Sequence, residues 1–261
     1  MKNHSSFRRT LCDSWDLFCD LPLFRSAPAE EDSRYADEYL CNPVYLLPLW
    51  AAAGAVIAGL FGRFAAWLLP ANGAALVFAA VLFAVCEMRT GFRGMALSIS
   101  FLEKLLYGKK IAECRIQRQS DLREISGLAP LLLAVAFVGL RFFALYQAAK
   151  SGNYGIIGAA WLTAAGAEGF LACEPAAVNV PAFCRQAQGS NVVLTAGFLL
   201  LFNLIHLPLA TLIAVGISAM LVTVLMNLFL RSDGRISSND MTMTGYLLEL
   251  IVLFCCLIMI G

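Results

Sequence analysis

From residue 192 to residue 230 the chain contains no Asp, Glu, Lys or Arg. That run is about twice the ~20 residues that one helix needs to cross a ~30 Å hydrocarbon core. Further apolar runs occupy 44–69, 72–86, 128–149, 155–173 and 243–260. A soluble globule of 261 residues cannot hide all of them at once. The 192–230 run is interrupted at Leu204-Ile205-His206-Leu207-Pro208. Proline suits the first turn of a helix, so the run reads as two helices joined by a tight turn. Run length therefore predicts an all-α polytopic integral membrane helical bundle with about seven transmembrane helices. Charged residues are only 14% of the chain, against roughly 25% in a soluble domain. A soluble enzyme, a disordered chain and a nucleic-acid-binding domain are excluded on these grounds, so no nucleic-acid partner is expected.

The position of the charges says more than their net value of +1. Residues 1–43 form an acidic arm, expected to be partly disordered. Residues 44–261 form a single transmembrane helical domain with a basic loop at 87–126. Cytoplasmic segments of membrane proteins gather Lys and Arg. Arg63 and Arg141 fall within spans and Lys150 lies in an opposite turn; the other Lys and Arg of the 19 all fall on one side. The N-terminus is therefore expected in the cytoplasm, and the protein in the cell inner (cytoplasmic) membrane. No signal peptide is expected, because the first apolar run follows an acidic arm.

Charges within spans are expensive and point to pairing or function. Arg63 is near enough to the end of its helix to snorkel outward. Arg141 is deeper, and Glu168 or Glu249 are its candidate partners. A structural ion pair and a ligand-facing role both fit it. Small residues recur at helical spacing in Gly54/Ala58/Gly62 and Gly155/Ala159, as close helix packing in lipid requires. The nine cysteines show no metal-binding spacing, so neither a zinc site nor a disulfide framework is expected.

The 87–126 loop holds the candidate chemistry. Residues 94–107 are apolar at several helical positions and then meet Lys109-Lys110, which predicts an interfacial or re-entrant helix. Lys104, Lys109, Lys110, Arg115, Arg118 and Arg123 lie nearby. They suit anionic headgroups of the lipid bilayer, or the landing of a phosphate-bearing substrate. No phosphate-binding glycine loop, zinc-protease helix or nucleophile elbow occurs. Neither His4 nor His206 has a partner that would make it a catalytic base.

The order of pieces resembles a family. Leu21-Pro22 leads to the Gly-rich first span after Asn42-Pro43, and a second span runs into the segment Thr90 to Ser100. A basic stretch then holds Asp121-Leu122-Arg123. Near the end, a loop closing on Ser238-Asn239-Asp240 precedes a helix with Glu249. This layout resembles cobalamin synthase, the membrane-bound adenosylcobinamide-GDP ribazoletransferase, from about residue 15 onward. The family carries Asp-Gly-Leu-Ala-Asp-Thr-x-Asp-Gly after the second helix, Asp-Ser-Arg-x-Gly later, and Thr-Gly-Asp before a Glu-containing helix. Asp121 and Arg123 match the second motif, and Asp240 and Glu249 the third. Of the first motif only Gly94 and Ala96 persist; Arg93, Leu97 and Ser100 replace its three aspartates.

The resemblance implies transfer of an activated corrinoid, adenosylcobinamide-GDP, to α-ribazole or its phosphate, in the last steps of cobalamin biosynthesis. It implies Mg2+ as cofactor, Asp121 and Arg123 as catalytic residues, and Arg93, Gly94, Lys109, Lys110 and Asp240 as substrate-binding residues. Asp121, Asp240 and Glu87 are the candidate metal ligands, with Glu103 and Glu113 as further acids. Diphosphate transfer needs charge neutralisation by clustered hard oxygen ligands and a divalent metal. Arg93, Leu97 and Ser100 supply no carboxylate there. The alternative is a catalytically degenerate paralogue that serves as partner or scaffold to another cobalamin-pathway membrane protein. A small membrane transporter is the third reading.

Overall fold

A computed structural model describes residues 2–20, 41–89, 98–99, 101–102, 128–178, 180–232 and 234–260. Among these the helices are α1 (Lys2–Asp20), α2 (Leu47–Leu68), α3 (Ala71–Arg89), α4 (Leu128–Lys150) and α5 (Gly155–Ala172). They continue as α6 (Ala182–Gln186), α7 (Gly189–Leu201), α8 (Leu209–Ser232) and α9 (Ser238–Ile260). Six helices are long and apolar enough to cross a membrane, and the α7 segment Gly189–Ile205 is a shorter apolar one. The chain is an all-α bundle with the character of a polytopic membrane protein. The 192–230 run divides as expected: α7 ends in a 3-10 turn, Phe202–Ile205, and α8 starts beyond Pro208.

Local chemistry sets the helix ends. Asn42 accepts a hydrogen bond from Val44 N at 3.2 Å and so caps the 3-10 turn Pro43–Leu46 that leads into α2. Leu69 precedes Pro70 and is extended (φ −125°, ψ 154°), which ends α2 where proline forbids the helical conformation. Gly152, at φ +70°, turns the chain between α4 and α5. At α9, Ser237 and Asp240 form a reciprocal capping box: Asp240 N donates to Ser237 Oγ (3.3 Å), and Ser237 N donates to Asp240 Oδ2 (3.0 Å).

α5 is the central post of the bundle. It is apolar on every side, as a helix enclosed by others must be, and 78% of its span is buried, against 28% for α2. Its small residues permit this enclosure. A Cβ built on Gly166 would lie 2.9 Å from Ala196, and one on Gly169 would lie 2.7 Å from Val192. α9 packs along a second side, where Gly245 leaves space that the Glu168 carboxylate fills. The outer helices turn Val56, Ile57, Leu194, Ile217 and Met220 outward, each more than 60% exposed, as lipid-facing surfaces require.

One end of the bundle is more elaborate than the other. The first part of the N-terminal arm, expected to be partly disordered, is the helix α1. It buries Thr10, Ser14 and Leu17 and lays Trp15 edge-on to Trp50 at 4.9 Å. Trp50 Nε1 donates to Ser14 Oγ at 2.9 Å. At the same end, Ile236 N donates to Ala176 O and Val178 N to Ile236 O, tying the segment after α5 to the one before α9. The interfacial or re-entrant helix expected near 94–107 lies mostly outside the described residues; 98–99 and 101–102 are helical.

Candidate functional site

Four helices bring a charged centre together inside the bundle. α4 contributes Arg141, whose side chain is 1% exposed. α9 contributes Tyr246 and Glu249, three residues apart and therefore on one face. α3 contributes Phe83 and Glu87, four apart, and α5 contributes Trp161. Arg141 Nη2 donates to Glu249 Oε2 at 2.6 Å, and Nη1 to Glu87 Oε1 at 3.3 Å. The guanidinium lies 3.6 Å from the centroid of the Tyr246 ring and 5.9 Å from that of Phe83. Trp161 Nε1 donates to Glu249 Oε1 at 3.4 Å, so both oxygens of that carboxylate are engaged.

Of the two carboxylates expected opposite Arg141, Glu249 meets it and Glu168 does not. Glu168 lies against Gly245 instead. Glu87 is the partner that sequence reasoning missed. The 72–86 run is short for a span, so the sequence leaves Glu87 either at the start of the 87–126 loop or within a span extended to about residue 88; it belongs to α3, which continues to Arg89. Its signal was present: an acid at the end of an apolar run, beside a bundle holding an arginine, is a candidate ion-pair partner.

A second ion pair stands at the α1 end. Arg231 of α8 pairs with Glu174, just after α5, and Asn227 Nδ2 donates to the other oxygen of Glu174 at 3.1 Å. Beside it, burial and the adjacent Glu174 carboxylate push the Cys173 thiol up to about 12.

The described candidates for a metal do not fit Mg2+, which takes several hard oxygen ligands in octahedral array. Glu87 and Glu249 share a guanidinium that would repel a cation. Asp240 Oδ2 accepts from both Ser237 N and Ser237 Oγ (2.8 Å), which makes its carboxylate part of a helix cap. Among the described residues no group of three or more His, Cys, Asp or Glu is placed to hold a metal ion. Asp121, Arg123, Arg93, Gly94, Lys109 and Lys110 lie outside the described residues, as do Leu97, Ser100, Glu103 and Glu113.

The opposite end carries a cleft of about 780 Å³ between α2, the α4–α5 turn and α7. Arg63 is exposed at its polar end. Asn153 Nδ2 donates to His206 O at 2.9 Å and fixes the two turns there. Comparison with family models, with curated proteins and with solved structures finds no match to this chain.

Proposed function

We propose that this chain is a membrane protein of the cobalamin synthase kind that serves the corrinoid chemistry of that family without a complete metal centre of its own. In this reading it sits in the inner membrane with the α1 end and the basic 87–126 loop in the cytoplasm, following the Lys and Arg distribution. There it acts as a membrane partner or scaffold for a synthase that performs the transfer. The observation that supports this reading is the Arg141 centre. Glu249, which matches the acid of the family's last helix, is neutralised by a guanidinium rather than left open to a cation. The replacement of three motif aspartates by Arg93, Leu97 and Ser100 points the same way.

The second reading is transfer by the chain itself, of the corrinoid moiety of adenosylcobinamide-GDP to α-ribazole or its phosphate. Asp121-Leu122-Arg123 favours it, because this segment keeps the acid and base of a family motif. One experiment separates the two. The purified protein in lipid nanodiscs is given adenosylcobinamide-GDP, α-ribazole and Mg2+, alone and with a synthase that has an intact Asp-rich loop. The partner reading expects no cobalamin from the protein alone, and co-purification with the synthase or an increase in its rate. Mg2+-dependent cobalamin formation by the protein alone, abolished in Asp121→Ala, would replace that reading with the enzyme.

A further inference from the structure

We propose that the cleft between α2, the α4–α5 turn and α7 binds one anionic phospholipid, with the headgroup phosphate at Arg63 and an acyl chain along the cleft. The shape follows from the residues that line it. Ala52, Ala55 and Gly59 on α2 face Gly155 and Gly158 on α5, so little side-chain volume fills the space between the helices. α7 gives way to its 3-10 turn after Leu201 and leaves that space open. Tyr154 closes the floor at the polar end, its ring pressed over Gly62 so closely that a Cβ there would collide with it.

The mouth opens to the surroundings of the bundle. Val56 is 64% exposed, Leu60 63% and Ile205 82%. These rims are apolar and face where lipid chains lie. From Arg63 to Ala52 the cleft follows α2 for ~16 Å at 1.5 Å per residue. Half of a ~30 Å hydrocarbon core is about the same length. The cleft therefore matches a single chain of one leaflet, with its polar end where a headgroup sits.

The charge of the polar end selects the headgroup. No Asp or Glu lines the cleft, and Arg63 makes no ion pair among the described residues. An unpaired arginine within a span calls for a counter-charge. Asn153, Tyr154 and Asn203 also line the cleft, and the Tyr154 ring packs over Gly62, next to Arg63 in the chain. An amphiphile with a phosphate head and an apolar tail satisfies both ends; a small soluble anion satisfies only one.

Native mass spectrometry of the detergent-purified protein tests this, after exchange into phosphatidylglycerol, phosphatidylcholine or inorganic phosphate. One retained phosphatidylglycerol per chain is expected, with phosphatidylcholine retained about tenfold less, the discrimination that ~1.4 kcal/mol of charge-assisted bonding gives. Arg63→Gln is expected to erase the headgroup preference while leaving the chain folded, because the side chain is exposed. Gly59→Leu, which fills the cleft, is expected to reduce retention of both lipids, with circular dichroism and gel filtration confirming the fold. Equal retention of the two lipids, or a preference that survives Arg63→Gln, would overturn the proposal. Retention of inorganic phosphate as strong as that of phosphatidylglycerol would also overturn it, because the tail would then contribute nothing.

Discussion

Arg141 and Arg231 each bind a glutamate on another part of the chain, and their surroundings could hardly differ more. The Arg141 side chain is 1% exposed, and two carboxylates and two aromatic rings enclose its guanidinium. The Arg231 side chain is 53% exposed at the α1 end, with one carboxylate as its partner. Water can replace Glu174 for Arg231 if the pair opens. Water does not reach Arg141 to replace Glu249, and only Glu87 stands with it there. The same chemical pair thus has two meanings. In the bundle it is a condition for α3, α4 and α9 to coexist; at the rim it is an adjustable tie.

The largest expected effect comes from removing the enclosed guanidinium. Arg141→Met leaves the buried Glu249 carboxylate without its counter-charge and should cost about 3–5 kcal/mol in thermal unfolding in detergent. Adding Glu249→Gln should recover most of that loss, because the group left facing the missing guanidinium is then neutral. A loss below about 1 kcal/mol in the single variant would make the two arginine pairs equivalent and break the comparison.

An uncharged change sets the scale between the two pairs. Ser237→Ala removes the two hydrogen bonds that its hydroxyl makes with Asp240 at the start of α9, leaving the one from Ser237 N, and should cost ~1 kcal/mol. Arg231→Gln should fall below that, at about 0.2–1 kcal/mol, because the arginine is half exposed and Asn227 still donates to the buried Glu174 carboxylate. Its effect should shrink further in 1 M salt, whereas that of Arg141→Met should not. A salt-insensitive Arg231 would place the rim pair in the same class as the core pair.

The smallest effect is a titration beside the rim pair. With its thiol pushed up to about 12, Cys173 stays protonated at neutral pH. Iodoacetamide at pH 8 should alkylate the exposed Cys12 well before Cys173. Glu174→Gln removes the carboxylate that disfavours the thiolate and should speed Cys173 alkylation near pH 10. The sign for stability follows from proton counting. Between the ordinary thiol value near 9 and about 12, the folded chain holds a proton that the unfolded chain has released. Stability falls as pH rises through that window, and Cys173→Ser should lessen the fall.

Much of the fold was legible because run length and charge exclusion act along the chain. The Pro208 break was enough to divide the 192–230 run, and the membrane's intolerance of lone charges was enough to name Glu249, alongside Glu168, as a candidate partner of Arg141. The rotation of each helix about its own axis was not legible. α5 is apolar on every side, so no periodicity marks which face Glu168 occupies, and only three-dimensional packing turns it to Gly245. The pairing of Glu87 with Arg141 was not legible, because hydropathy alone ends the second span near residue 86 and only its short length hints at an extension to about residue 88, whereas a buried partner lets α3 continue through its charged residues. The docking of α1 rests on Trp15 meeting Trp50, a contact between distant positions that neither segment announces.

The shortness of α7 also bears on the bilayer. With its 3-10 turn it extends only ~28 Å, whereas α2 with its leading 3-10 turn reaches ~41 Å. Two flanks of one protein therefore ask for membranes of different thickness. Lipid beside α7 meets a span slightly shorter than the ~30 Å core, whereas α2 exceeds it and is accommodated by tilt and by its first turn, whose Pro43 and Val44 are buried within the protein. The protein should accordingly favour thinner bilayers on one side and distort thicker ones unevenly, so that chain length, as well as headgroup, governs which lipids gather around it.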